Sequence, residues 1–330
     1  MKIHFDLSRE TNPYNRTALQ ERIAESAEHA PASVQVVDGD PDAADWIIDP
    51  VPAHQTFRGP YFSDTGLGGQ RASRTLTWDP GDFPTGRRRG FYCSLPRTLF
   101  DPRRHRSFCY LIRYNPFIAP FPPGDATYLW GFSGSVTSPL RARLFSRLAP
   151  SARDGTGLLR QTASLFHAMA DPASDPAKQA FAEDIRRCQF VICPRGNGVS
   201  SVRIFEVLEA GRVPVILSDA LVPPACVDWD ACALRVPESD LPRLPVIIAA
   251  HREEYSRRAE AARREWERCF SPSGLLPTLA GEIRALETAS NRSTLPMLPP
   301  GARYLVRLLP FLAKTRLKAL VRRVRSGWKR

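Results

Sequence analysis

The sequence lacks the spacings of metal-binding and disulfide-bonded proteins. Its seven cysteines form no CxxC pair, and an odd number cannot all pair within one chain. Its six histidines are scattered without an HxxxH or HExxH spacing, so no zinc site is visible. Four cysteines lie in or beside apolar runs, where a free thiol behaves as a small hydrophobic group: Cys188, Cys193, Cys226 and Cys232. We therefore expect a reduced, cytoplasmic compartment and no bound metal.

Long apolar runs are also missing. No stretch approaches the roughly 18 apolar residues that a membrane-spanning helix needs. Met1 leads directly into a strand-like segment, Lys2–Phe5, and not into the apolar core of a signal peptide. The sequence therefore predicts neither a leader peptide nor a spanning helix.

The net charge of +12 is concentrated at one end of the chain. Residues 303–330 contain ten Lys or Arg and no Asp or Glu, which leaves +2 for the 302 residues before them. A nucleic-acid groove needs basic side chains spread over the fold. This distribution argues against nucleic acid as a partner.

The basic tail has the pattern of an amphipathic helix. Beyond Pro310, helical spacing separates an apolar face from a basic one. The apolar face has Leu317, Leu320, Val321, Val324 and Trp328, and the basic face has Lys318, Arg322, Arg325 and Lys329. We therefore expect residues 303–330 to bind an anionic membrane surface, on the inner face of the cytoplasmic membrane. A disordered tail, or an arm that binds RNA or a protein partner, is the alternative.

Short apolar segments alternate with helical periodicity along the chain, which predicts parallel α/β sheets. Strands are predicted at residues 2–7, 34–37, 46–48, 75–78, 108–112, 127–132, 189–193, 213–217 and 232–236. Helices are predicted at residues 15–29, 141–148, 159–170, 178–187, 200–210, 252–268 and 274–288. A Pro-rich run at residues 115–124 marks a boundary, so we predict domains at 1–124 and 125–288, followed by a linker and tail at 289–330.

Residues 188–219 form the most informative segment, a strand, glycine-rich loop, helix and strand. The loop sequence PRGNG at 194–198 is rich in turn-forming residues. Ser200 or Ser201 can cap the helix, and Gly211 can end it. The free N–H groups at such a helix N-terminus attract anions.

Two arginines lie at the start of this helix, where a positive charge opposes the helix dipole by about 0.3–1 kcal/mol. Arg195 precedes the helix and Arg203 lies in its first turn. Their position indicates that an anion binds between them. The alternative is that Arg203 only pairs with Glu206 at the i,i+3 spacing.

The segments around this motif resemble the exostosin-type glycosyltransferases, glycosyltransferase family 47. The resemblance is carried by FVICPRGNG at 190–198, SSVRIFE at 200–206, GRVPVILSD at 211–219, FSGS at 132–135, Arg141, VPP at 222–224, DW at 228–229 and RVPE at 235–238. It covers about residues 128–260, and the first third of the chain matches only loosely. A bacterial origin is the simpler expectation, because eukaryotic exostosins carry a membrane-spanning N-terminus.

The resemblance implies a GT-B-like fold, in which two Rossmann-like α/β domains face a cleft and the second domain holds a nucleotide-sugar. It also implies inverting transfer with no metal ion and no cofactor beyond the nucleotide-sugar co-substrate. The implied function is hexosyl or glycuronosyl transfer to a lipid-linked or polysaccharide acceptor in cell-surface glycan synthesis.

The resemblance also assigns residues to the donor site. Loop residues would contact the phosphates, arginines would neutralise them, and Glu206 would accept hydrogen bonds from the ribose. The implied donor-binding residues are Gly134, Ser135, Arg141, Arg195, Gly196, Asn197, Gly198, Ser200, Ser201, Arg203 and Glu206.

The catalytic base has to be sought in the first half of the chain. Inverting transfer needs a carboxylate or histidine within hydrogen-bonding reach of the acceptor hydroxyl. Asp79, Asp82 and Asp6 follow predicted strands, whose ends face the cleft in such sheets. Asp79 is the first candidate, and each of the three can instead be a turn-forming residue.

Three other functions fit parts of the sequence. Gly196, Gly198 and Ser201 imitate the glycine fingerprint of an NAD(P)-dependent oxidoreductase, although the third glycine is replaced by serine. Asp228 and Asp230 form a DxD triplet, as in metal-dependent transferases of a different fold. A membrane-associated scaffold without catalytic activity is the third alternative.

Overall fold

Two parallel sheets make up the core of the protein. The computed structural model describes residues 1–50, 71–84, 86, 88–163 and 172–291. The first sheet contains β1 (Lys2–Phe5), β2 (Gln35–Val36), β3 (Trp46–Pro50), β4 (Thr75–Asp79), β5 (Gly90–Tyr92) and β6 (His105–Ser107). The second contains β7 (Tyr128–Gly134), β8 (Gly157–Gln161), β9 (Cys188–Pro194), β10 (Val213–Leu217) and β11 (Leu234–Arg235).

Eight α-helices accompany the strands in the described residues. They are α1 (Pro13–Glu28), α2 (Pro139–Ala152), α3 (Asp175–Arg186), α4 (Arg203–Glu209), α5 (Trp229–Cys232), α6 (Leu244–Ala250), α7 (Tyr255–Cys269) and α8 (Pro272–Asn291). Within these residues, no helix combines the length and the apolarity needed to cross a membrane.

The strand orders are β2-β1-β3-β4-β5-β6 and β11-β10-β9-β7-β8, and every pair is parallel. Parallel sheets are covered on both faces, so their central strands are apolar throughout and not alternating. All five residues of β3 and of β10 are buried. Asp49 of β3 is the one charged residue among these ten, and it forms ion pairs with Arg9 and Arg88. The short apolar runs of the sequence therefore become the sheet centres.

One hydrophobic cluster runs through both halves of the molecule, the first half built on the sheet of β1–β6 and the second on the sheet of β7–β11. It joins Ile48 and Leu76 of the first sheet to Val207 of α4 and to Leu279 and Ile283 of α8. A second cluster covers the other face of the second sheet, where strands β7, β9 and β10 pack against α2 and α6. The two halves therefore share a continuous core.

The last helix returns to the first half. Arg106 of β6 forms an ion pair with Glu282 of α8 (3.0 Å), and α8 packs against α1. At the α7–α8 junction, Arg22 of α1 donates a hydrogen bond to the carbonyl of Phe270. The chain thus connects the two halves twice.

Several predicted elements differ from the structure. Residues 108–112, predicted as a strand, form a loop in which the Cys109 carbonyl accepts a hydrogen bond from Trp78 Nε1 (3.1 Å). Residues 159–161, predicted to start a helix, complete β8, and residues 164–170 of that helix lie outside the described residues. The helix predicted at 200–210 covers only Arg203–Glu209, and the strand predicted at 232–236 is reduced to β11.

The predicted fold class, two Rossmann-like α/β units in a GT-B-like arrangement, is confirmed. The predicted amphipathic helix at 303–330 lies outside the described residues. The first sheet ends at Ser107 and the second begins at Tyr128, while α8 packs on the first half. The division at 124 and 288 stays a prediction.

Candidate anion-binding site

Adjacent parallel strands bring the site together. Strands β7 and β9 lie side by side, so their carboxyl ends meet at one edge of the second sheet. The glycine-rich loop follows β9, and Arg203 is the first residue of α4 after that loop. FSGS at 132–135 ends β7 beside it. Two segments that are 60 residues apart in sequence therefore face each other.

Arg203 is a buried cation with unused hydrogen-bond donors. It is only 6% exposed. Its Nη2 donates to the Ser133 carbonyl, and its guanidinium lies 4.6 Å from the Phe132 ring centre and 5.0 Å from that of Phe181. Within the described residues, its Nε and Nη1 are buried without a hydrogen-bond partner, and burial lowers the pKa of the side chain. A buried charge without a direct ion pair is costly, and an anion bound beside it would offset that cost.

Arg141 adds a second guanidinium to the same aromatic ring, 5.8 Å from the centre of Phe132. Its Nη2 donates to the Pro194 carbonyl (3.2 Å), and its Nε is buried without a partner. Burial, and then the charge of Arg203, lowers the pKa of Arg141 to about 9. Two cations that destabilise each other, each with a buried donor that finds no partner in the described part of the chain, would be stabilised by a group with more than one negative charge.

Gly134 allows the Arg203 guanidinium to approach the backbone, because a Cβ atom there would lie 2.8 Å from Arg203 Nη2. Gly196 lies beside Arg141, where an added Cβ atom would make an ordinary contact of 3.5 Å with Nη2. The Ser135 carbonyl accepts from Arg141 Nη1 (3.4 Å). The structure therefore brings together the predicted residues Gly134, Ser135, Arg141, Gly196 and Arg203.

Glu206 lies one turn beyond Arg203, and the charge of each acts on the pKa of the other. Among the residues described, the structure shows no direct ion pair at this i,i+3 spacing, and Arg203 Nη2 donates to the Ser133 carbonyl instead. Glu206 lines a cavity of about 50 Å³ between the halves, together with Tyr110 and Phe205. Burial raises the pKa of Glu206 to about 7, against the opposing charge of Arg203.

Arg195 differs from the expectation that it flanks the anion. Its Nε and Nη2 donate to the two carboxylate oxygens of Glu238, at 2.6 and 3.1 Å. This two-point pairing neutralises its charge within the protein. The positive charge available for a ligand therefore comes from Arg141 and Arg203.

The predicted helix N-terminus is also different. The helix α4 has seven residues and no side-chain cap, so Ser200 and Ser201 are not its caps. The amides of Val199 and Ser200 donate to Ser94 Oγ of the first half, at 2.9 and 3.1 Å. The amides of Val199 and Ser200 are thus not available to an anion, and the buried guanidinium groups are the stronger candidates for that role.

The three candidate bases occupy different positions. Asp79, at the buried end of β4, accepts a hydrogen bond from the Gly81 amide (2.8 Å), and burial raises its pKa to about 6. The backbone of Asp82 lies against Gly198, where an added Cβ would be 2.7 Å from the Asp82 carbonyl. Burial raises the pKa of Asp82, while the Gly198 amide, Arg141 and the Asn197 side chain lower it. Asp6 accepts from the Ser8 amide (3.0 Å), as a turn-forming residue does.

No cluster of three or more His, Cys, Asp or Glu residues suited to a metal ion occurs within the described ranges. The DxD triplet has a structural role, because Asp228 Oδ1 accepts from the Ala231 amide (3.1 Å) and caps α5. The glycine fingerprint of an oxidoreductase needs a helix that begins directly at the loop with free amides. Here, two of those amides are bonded to Ser94.

Sequence reasoning missed Ser94, Phe181 and Glu238. Each reaches the site from a distant part of the chain; Ser94 and Val199, for example, are 105 residues apart. Only the resemblance gave a signal for Glu238, since RVPE at 235–238 was one of its segments.

The Exostosin GT47 domain matches residues 115–251. The relative "Probable glucuronosyltransferase GUT1" of Oryza sativa subsp. japonica is 34% identical over 85 residues, which cover 25% of this chain and 20% of that protein. An "Exostosin-1 homolog" of Caenorhabditis elegans is 30% identical over 90 residues, covering 26% and 24%. This chain thus spans a quarter or less of the curated relatives that it matches. These plant and nematode relatives give no support to a bacterial origin.

Two solved structures are similar over most of the chain. "Alr3699/HepE in complex with UDP" from Anabaena has a TM-score of 0.45 and 13% identity, covering 88% of this chain and 99% of that one. A glycosyltransferase from Rickettsia africae has a TM-score of 0.42 and 9% identity, with the same coverage. Likeness at these scores carries no inference about ligands or chemistry.

Proposed function

We propose that this chain, whose residues 115–251 match the Exostosin GT47 domain, transfers a sugar from a nucleotide-sugar donor to a glycan or glycolipid acceptor. The observation that carries the proposal is the pair of guanidinium groups of Arg141 and Arg203 beside Phe132. Both have buried donors for which the described residues offer no hydrogen-bond partner. A nucleoside diphosphate supplies the doubly charged group that such a pair accepts.

The proposed chemistry is inverting and independent of metal. As the bond between the sugar and the diphosphate breaks, negative charge develops on the leaving oxygen. Preorganised cations in a site of low dielectric stabilise that charge without solvent reorganisation. In this role, Arg203 supplies Nε and Nη1, and Arg141 supplies Nε. Glu206 accepts hydrogen bonds from the ribose hydroxyls.

Asp82 is the proposed catalytic base, in preference to Asp79 and Asp6. Its backbone packs against Gly198 of the donor loop, and the charge of Arg141 acts on its carboxylate. Burial raises its pKa, which makes the carboxylate a better proton acceptor from the attacking hydroxyl. The Asp79 carboxylate accepts a hydrogen bond from the Gly81 amide, so it stabilises the turn that carries Asp82.

The proposed setting is the inner surface of the cytoplasmic membrane. Support comes from the ten basic residues and no acidic ones at 303–330. Each basic side chain near an anionic leaflet contributes about 1 kcal/mol. Co-sedimentation with vesicles of phosphatidylcholine alone, or with added phosphatidylserine, tests this, comparing the full chain with residues 1–302. Equal binding of the full chain to both vesicle types would contradict it.

The decisive experiment is a titration of the full chain with UDP and GDP, followed by transfer assays with a panel of nucleotide-sugars. Arg203→Lys and Arg141→Ala should weaken nucleotide binding at least tenfold. Arg143→Ala, an exposed arginine on the same helix as Arg141, should not. Transfer should continue in EDTA. Wild-type affinity in both arginine variants, or the loss of transfer in EDTA, would refute the donor site or the metal independence, respectively.

A further inference from the structure

Ser94 links the first half of the molecule to the glycine-rich loop of the second. It lies two residues beyond β5 and is completely buried. Its Oγ accepts hydrogen bonds from the amides of Val199 (2.9 Å) and Ser200 (3.1 Å). A hydroxyl oxygen has two lone pairs, so both bonds form together.

Val199 of this loop is also hydrogen-bonded to the second half. Ser218, directly after β10 in the second sheet, donates its Oγ hydrogen to the Val199 carbonyl at 2.7 Å. The N–H and C=O groups of Val199 are therefore bonded to serines from different halves. These two hydrogen bonds fix the backbone of the loop at Val199.

Packing at Gly198 leaves no room for the loop to shift toward the first half. A Cβ atom added there would lie 2.4 Å from Ser94 Oγ and 2.7 Å from the Asp82 carbonyl oxygen. Both distances are far below van der Waals contact. The loop and the first half are therefore complementary in shape as well as hydrogen-bonded.

The position of Arg203 depends on this loop. Arg203 follows Ser200 by three residues and begins α4, which has no side-chain cap of its own. With no cap, the start of the helix is fixed by the backbone before it, which Ser94 and Ser218 hold. A change of the loop at Val199 would therefore move the guanidinium relative to Phe132 and Ser133.

We propose that Ser94 is a positioning residue for donor binding. Through Val199 and Ser200, it holds Arg203 where its free Nε and Nη1 meet the diphosphate. This inference rests on the proposed function. It means that the donor site, formed by the second half, is completed by a residue outside the matched segment 115–251.

The test is UDP and GDP binding to the full chain by calorimetry. Ser94→Ala should raise the Kd about tenfold, and Ser94→Thr, which keeps the hydroxyl, should recover part of the loss. Ser26→Ala is the matched control, because Ser26 is equally buried and its hydroxyl donates to the Arg22 carbonyl within α1. Ser218→Ala, which frees the other side of Val199, should also weaken binding and serves as the second variant if Ser94→Ala does not fold.

A coupling measurement separates positioning from general stability. If Ser94 acts through Arg203, Ser94→Ala should weaken UDP binding much less in an Arg203→Lys background than in the wild type. Hydrogen exchange at Val199 and Ser200 should speed up in Ser94→Ala and not in Ser26→Ala. Equal effects in both backgrounds, or unchanged exchange, would overturn the inference. A wild type that binds neither nucleotide would overturn the proposed function itself.

Discussion

Replacing Arg203 by methionine should separate folding from binding. Methionine keeps the length of the side chain and an apolar contact with the Phe132 and Phe181 rings. It removes a buried cation that donates a hydrogen bond to the Ser133 carbonyl. Taking one charge out of water costs several kcal/mol, which equals or exceeds the loss of about 1–3 kcal/mol when the Ser133 carbonyl loses its donor. The free energy of unfolding without ligand should therefore stay the same or rise.

The effect on nucleotide binding should have the opposite sign. Two buried donors, Nε and Nη1, are available to the diphosphate. A hydrogen bond to a charged group is worth about 1.5–3 kcal/mol, so losing two costs about 3–6 kcal/mol. At about 1.4 kcal/mol per decade, Kd should rise by roughly 10² to 10⁴.

Urea unfolding with and without UDP measures both effects in one experiment. With ligand at about 100 times the wild-type Kd, the wild type should gain about 2.7 kcal/mol, and Arg203→Met should gain at most about 0.4 kcal/mol. Arg187→Met is the control, because Arg187 stacks 4.9 Å from the Tyr128 ring away from the loop. If Arg203→Met unfolds more easily by several kcal/mol and is still stabilised by UDP, the guanidinium is structural and the reasoning fails.

Three further changes test the fold and its pH dependence. Burial raises the pKa of Asp79 from 3.8 to about 6, so the native state keeps a proton that the unfolded state releases. Stability should fall by roughly 3 kcal/mol as the pH rises through this interval, and Asp79→Asn should remove that slope in urea titrations at several pH values. Arg212→Ala should cost at least about 3 kcal/mol in the same assay, because it empties a fully buried position and removes the donor to the partly buried carbonyls of Phe121, Pro122 and Arg186; full stability would contradict this. Gly131→Ala should destabilise by about 1–3 kcal/mol through overpacking, since its Cβ would lie 2.2 Å from Cys188 Sγ. Adding Cys188→Ala should relieve that clash, and no relief would refute the cause.

The central strands could be predicted because strands buried on both faces appear in the sequence as short apolar segments. The strand β10 is a continuous apolar run, and β3 and β9 are apolar apart from Asp49 and Gln189, as expected for buried parallel strands. The strands β5 and β6 were missed because three residues each give no period to detect. The run at 108–112 misled for the opposite reason, since burial in a loop produces the same apolar pattern as a strand.

The arginines of the site were found from local pattern and resemblance, but their partners were not. Arg203 was recognised by its unusual place near a helix start. Glu238 neutralises Arg195, and Ser94 accepts hydrogen bonds from the amides of Val199 and Ser200. These contacts follow from how the two sheets meet. No local pattern encodes that geometry.

The chain connects the two halves at two places, residues 108–127 and the α7–α8 junction, and a relative rotation of the halves would bend the chain at both. A body attached at two points turns about the line through them without stretching the chain. Arg212 secures the first connection, because it donates to the carbonyls of Phe121 (3.0 Å) and Pro122 (2.9 Å) from within the second half. Because the halves also share a continuous core and the hydrogen bonds of Ser94, any movement that admits a substrate has to bend the chain at both connections and break those contacts.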